Sequence, residues 1–182
     1  MKITSKYDWL GRIDGLPKMV IEAIALGKLD TTEVPGAKSN PEIMALAKEA
    51  GVADIYTSDE IAWCAVAHTA IALRAGKNVP FTGVARLRAA SFGKFGKETG
   101  VPMLGDTLVF HRDGGYHVGL YIAEDKECYH VAGGNQGNQY SITRVKKIRL
   151  MAARRPEYSA GVPASVKRIY VSAEGVVSEN EA

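Results

Sequence analysis

Two cysteines and four histidines are all that 182 residues offer for thiol or imidazole chemistry. Cys64 stands in SDEIAWCAVAHTAIALRAG, where Ile61, Cys64, Ala65, His68, Ala72 and Ala75 recur at helical spacing and share one stripe. A free thiol titrates near ~8.5, and helix N-terminal amides or a neighbouring imidazolium lower that value enough to make thiolate, the nucleophilic form. His117 heads the run HVGLYI just after a DGG turn, so its imidazole is expected near a strand end, where side chains reach a cleft. Alternation puts His117, Gly119 and Tyr121 on one face and Val118, Leu120 and Ile122 on the other. Gly119 is expected to leave room beside the ring. Asn135 and Gln136 follow the next apolar run, in AGGNQGN, where an adjacent strand can bring an amide beside the imidazole. A cysteine, a distant histidine and a polar third group make a nucleophile, its base and the group that orients the base.

The same residues have quieter uses. A buried cysteine is usually an inert small hydrophobe. His68 lies four residues after Cys64 on the same helix face and is a second candidate base. Cys64, His68, Cys128 and His130 are four zinc ligands by type, but neither pair has knuckle spacing, and zinc ranks below catalysis. His111, beside Arg112 and Asp113, reads as a solvated turn residue.

The elements that must position these groups can be read from local signals. Thr57 and Glu60 match a capping box, with Ser58 and Asp59 as other caps, so the helix is expected to begin a few residues before Cys64. A start near Ile61 or Ala62 would activate the thiol more, because the dipole effect fades within a turn. Helices are also expected over 17–27, opened by Pro17 and closed by Gly27, and over 41–50, capped by Asn40 and stopped by Gly51. Residues 85–90 suggest a short helical piece. From Val101 the period changes to two, with strands expected at 107–111, 117–123 and 127–132 and further candidates at 138–143 and 148–153. Helices before strands indicate an α+β fold, with the helices on one side of an antiparallel sheet. A cysteine on the inward helix face would then meet a histidine on the sheet beneath.

Length and 46% hydrophobic content suit one domain with one sizeable core, here residues 1–156, followed by a C-terminal extension, 157–182, mobile towards its end. Two cysteines are too few for a disulfide scaffold, so the chain reads as made in a reducing cytoplasm. No signal-peptide or membrane-spanning run is visible. A formal charge of +3 and a pI near 8.8 favour anionic partners, with cell-wall polymers as suitable as nucleic acid. The basic run Arg144, Lys146, Lys147, Arg149, Arg154 and Arg155 is either a solvated strand face or a contact for such a polymer.

Taken in order, EVPGAKSNPEIM, SDEIAWCA, PMLGDTLVF, HVGLYI and GGNQGNQ resemble the papain-like NlpC/CHAP superfamily of peptidoglycan hydrolases, most nearly its small phage and prophage-associated branch. The likeness runs over roughly residues 17–156. His68 departs from it, standing where that branch is usually apolar. The resemblance implies a papain-like α+β fold with Cys64 as nucleophile, His117 as general base and then acid, and Asn135 as the orienting residue, Gln136 being less favoured for that role. Asp59 and Trp63, which flank the thiol, are expected to line the cleft, and Gln136 to contact substrate. The implied activity is cleavage of an amide in the peptide part of bacterial peptidoglycan, without metal or cofactor, by a monomer. Nucleic acid and stable membrane insertion have no part in it. Without an export signal, the enzyme would wait in the host bacterial cytoplasm for holin-dependent release, as a phage endolysin. A tail lysin, a toxin-like amidase effector, a thiol acyltransferase and a non-catalytic wall-binding or virion module are the alternatives.

Overall fold

Local signals open the first two helices as expected. The structure, a computed structural model, describes residues 5–29, 31–36, 38–174 and 177–178. Pro17 precedes α1 (Lys18–Gly27), and the Asn40 side chain accepts the Glu42 N–H at 2.8 Å to cap α2 (Pro41–Glu49). Gly51, at φ +67°, lets the chain turn away after α2.

The third helix departs from expectation. Residues 58–61 form a turn closed by Ile61 N–H on Ser58 O, with the Glu60 N–H on Ser58 Oγ. Helix α3 (Cys64–Arg74) starts at the cysteine itself, behind Trp63, which provides no side-chain cap. The capping box fails because Ser, Thr and Asp serve turns as readily as helix starts.

Seven strands follow among the described residues: β1 (Lys97–Glu98), β2 (Thr107–Arg112), β3 (Gly115–Glu124), β4 (Cys128–Gly133), β5 (Ser141–Lys146), β6 (Leu150–Arg155) and β7 (Val177–Ser178). Two short 3₁₀ helices, Gly83–Leu87 and Ala89–Lys94, occupy the region where one helical piece was expected. The strands form one sheet in the order β1-β6-β2-β3-β4-β5-β7, antiparallel except for the β5–β7 pair. This is a mixed α+β fold. A two-residue Asp113–Gly114 turn, with Gly114 at φ +76°, sets the β2–β3 register so that Phe110 faces His117. His117 is therefore the third residue of its strand and not its first.

The two sheet faces are unequal. Val109, Val118, Leu120 and Ile122 pack with Ala67, Ala70 and Ile71 of α3 and Ala23 of α1 in the main core. Leu108, Phe110, Tyr121, Tyr129, Val131, Val145 and Ala153 form a smaller cluster on the opposite face. Most of the basic run is spent inside the molecule. Arg144 holds Asp125 at 2.7 Å, Lys147 holds Glu124 at 2.5 Å, and Arg155 makes two bonds to Asp106 at 2.9 and 2.8 Å.

The segment after Pro156 is tied down as far as Val171. Leu104 N–H reaches Lys167 O, Ser165 Oγ reaches Gly15 O, and Glu124 exchanges main-chain bonds with Ile169 and Val171. Arg168 adds two bonds to the Glu124 carboxylate, at 2.7 and 3.0 Å. Burial alone would raise Glu124, but the bonds from Arg168, Lys147 and Tyr121 outweigh it and pull the group down to about 2. The final four residues, expected to be mobile, lie outside the described residues.

Candidate active site

Cys64 is positioned by a gap in the sheet. Tyr121 exchanges main-chain bonds with Gly105 and Asp106 on its β2 side, so Val118, three residues earlier, points its N–H the other way, toward β4. At that level β4 has already ended at Gly133. The main-chain amides of Val118, Ala65 and Cys64 itself stand near enough to the Cys64 sulfur to favour its thiolate form. The sulfur thus stands where a longer β4 would supply an acceptor, against the backbone of the residue next to His117.

This geometry corrects the expected meeting across the helix–sheet interface. The helices cover the Val118 face, so His117 starts from the other face, with Gly119 and Tyr121. Cys64 belongs to the core on the Val118 face. Pairing of β3 with β4 runs no further than Leu120↔Ala132; the next residue, Gly133, stands against the His117 ring, and Asn135 follows two residues on. Asn135 is buried with φ +55°, where the chain turns out of the ladder.

Two consecutive glycines make this packing possible, one on each face. A Cβ on Gly133 would stand 3.1 Å from His117 Nε2 and 3.4 Å from Gln136 Cδ. On Gly134 it would stand 2.6 Å from two carbons of the Trp63 ring, blocking the approach of the α3 start. Gly119, expected to leave room for the imidazole, in fact makes room for Val131 Cγ1 and the Ala132 carbonyl, which a Cβ would meet at 2.5 and 2.7 Å. Gly133 is the residue that clears the ring.

The thiol is 5% exposed and His117 1%. Burial pushes the Cys64 thiol up, against the Val118 amide, the charge of Arg112 and the helix-start amides, which pull it down. At rest it is a protonated thiol supplied with main-chain donors.

The residues expected to line a cleft support the site from within. Trp63 is fully buried and its Nε1 donates to Glu33 Oε1 at 2.8 Å. Burial and nearby Asp59 and Glu60 raise Glu33, although the Trp63 bond opposes them. Asp59 is also fully buried, and its Oδ2 accepts the Val34 and Asn40 amides at 3.0 and 2.7 Å. It clamps the Glu33 segment over Trp63. Gln136 Nε2 lies 3.2, 3.1 and 2.6 Å from the carbonyls of Val131, Gly133 and Ser141, and its Oε1 accepts Thr143 Oγ1 at 2.7 Å. That amide is saturated, and it staples its own loop. Glu33 and Gly133 were not singled out from the sequence, although both stand inside quoted motifs.

His68 is no base for Cys64. Its Nε2 pairs with Thr107 Oγ1 at 2.8 Å and its ring stands edge-on to Phe92 and Phe95. Burial, helped by the charge of His117, pushes it down to about 3, so it is neutral. His130 is engaged at both ring nitrogens, by Tyr7 Oη at 2.7 Å and Asp125 Oδ2 at 2.9 Å. Among the described residues no three His, Cys, Asp or Glu side chains converge as a metal site requires.

A buried thiol at a helix start, packed against the strand that carries His117, has the residue types that acyl transfer needs. A scan against family models matches none of them to this chain, and comparisons with curated proteins and with solved structures likewise return no match.

Proposed function

We propose that the protein is a cysteine-dependent hydrolase of an amide bond in the peptide part of bacterial peptidoglycan, built on the papain-like NlpC/CHAP plan. The observation that carries the reading is Cys64 at the first position of α3, packed in one core with Val118, the strand neighbour of the His117 that Gly133 clears. In this mechanism His117 takes the Cys64 proton as the sulfur attacks the substrate carbonyl. The oxyanion takes over amide donors that stand beside the sulfur at rest. Collapse expels the amine, which leaves with the proton from His117. Water activated by His117 then splits the thioester, releasing the acid and restoring the thiol. Asn135 holds the imidazole in orientation. A phage endolysin released by a holin-dependent route is the setting this chemistry suits best, and a tail lysin or an amidase effector would use the same atoms.

The competing reading is a non-catalytic wall-binding or virion module, favoured by the depth of the thiol and its upward shift. Digestion of purified murein sacculi separates the two. The hydrolase liberates new amines and new carboxyl termini in equal amounts, and mass spectrometry of the fragments names the bond. Protein that pellets with intact sacculi and creates no new ends would sink the catalytic reading.

A further inference from the structure

The end of α3 remote from Cys64 opens onto a groove of about 1120 Å³, bounded by the 75–80 turn, the segment around β1 and the chain leaving β6. At 1.5 Å per residue, α3 puts this mouth about 15 Å from the thiol. Five cations line it, Lys18, Lys77, Lys94, Lys97 and Arg155, against two acids, Glu98 and Glu157. Among the described residues, the acids leave Lys18, Lys77 and Lys94 without a carboxylate partner. Glu98 lies 3.7 Å from Arg154, outside the lining, and Glu157 stands 3.9 Å from Lys97.

The cations are held together at a cost. The Lys77 ammonium donates to the Glu157 carbonyl at 2.6 Å and rests 4.3 Å over the Tyr158 ring. Burial and the charge of Lys18 make it easier to deprotonate than an ordinary lysine. An anion placed between Lys18 and Lys77 relieves that repulsion. The Tyr158 hydroxyl is buried in the lining without a hydrogen-bond partner, and Pro80, Val162 and Pro163 add apolar surface.

The mix favours carboxylates on a peptide over phosphates. The cations would attract either anion, but Pro80, Tyr158 and Val162 between them match the side chains of a peptide, which a bare phosphate lacks. The volume is that of a ligand cleft, and its apolar surface suits side chains. We propose that this groove binds an acidic peptide segment, with Lys18, Lys77 and Lys94 meeting its carboxylates and Pro80, Tyr158 and Val162 taking its apolar groups. The site stands whether or not Cys64 is catalytic.

Fluorescence anisotropy with the full chain and a fluorescein-labelled glutamate–alanine peptide tests it. Saturable binding is expected at low ionic strength, weakening as salt rises. The double variant Lys18→Glu/Lys94→Glu should bind about tenfold or more weakly. Both lysines are exposed, so the variant should keep the parent's circular dichroism and melting temperature. No binding by the parent, equal binding by the variant, or tighter binding of polyphosphate than of peptide would overturn the proposal.

Discussion

The sheet carries two arrangements with the same ingredients, a cysteine, a histidine and a polar third group, and they are built in opposite ways. Around His130 the chain runs Tyr7–His130–Asp125–Arg144, with both ring nitrogens bonded and Asp125 Oδ1 taking the Glu127 and Cys128 amides at 2.9 and 3.0 Å. Burial would raise Asp125, but the Arg144 bond and the amides hold it well below the usual carboxylate range. A buried ion pair of this kind fixes the chain, and removing one partner strands the other charge. Around Cys64 the nearby donors are main-chain amides, the His117 ring is flanked by a glycine, and the third group proposed is a neutral amide. Amides held rigidly by a helix start and a strand edge can follow charge that moves during a reaction. Residue type does not separate the two sets; what bonds to them does.

The sharpest way to break this contrast is by substitution at each centre. Cys64→Ala and His117→Ala should each lower sacculus solubilisation by about a thousandfold or more, while Cys128→Ala leaves the rate per folded molecule within about twofold. Equal losses from the two cysteines would erase the distinction. Asp125→Asn should instead cost about 3 kcal/mol of stability in urea titrations, with the rate per folded molecule retained.

Acid tests the buried imidazoles. The folded chain holds His68 near 3 while the unfolded chain takes up its proton near the ordinary 6.5. The unfolded state therefore binds more protons between these values, and stability falls as pH drops through that window. His68→Gln, which can keep a bond to Thr107, should reduce the fall of unfolding free energy across that pH window, taken from urea titrations, by about 1 kcal/mol or more; an unchanged slope would show that His68 does not set it. Gly133→Ala should slow hydrolysis about tenfold by pressing on the His117 ring, with a stability loss of only about 1 kcal/mol. If the rate is unaffected, the glycine is not clearing a working imidazole. The mildest test is alkylation of Cys64 by iodoacetamide. Because burial outweighs the donors, its rate should still be climbing above pH 9.0, the ordinary value for the thiol. A plateau near neutrality would mean that the donors prevail.

Much of the framework was legible because its signals are local. Asn40 with Pro41 caps a helix whatever lies around it, DGG makes a hairpin, and alternating runs make the five longer strands. The two-residue strands β1 and β7 carry no such signal, since their pairing is supplied by β6 and β5. The start of α3 was misread for the complementary reason: a cap motif is also a turn motif, and only the packing of Trp63 on Gly134 decides where the helix begins.

The candidate site divides along the same line. Which residues could act as nucleophile, base and orienting amide follows from side-chain chemistry and chain order alone, whereas which glycine clears the ring, Gly133 and not Gly119, is decided by packing. Where the sulfur goes depends on β4 ending at Gly133, which leaves a strand amide pointing into the place the α3 start can fill. That His68 is a neutral core residue, that Gln136 staples its loop and that most of the basic run pairs inside the fold are likewise tertiary facts. Each depends on partners far away in the sequence, and a side chain's bonds are settled only when those partners arrive.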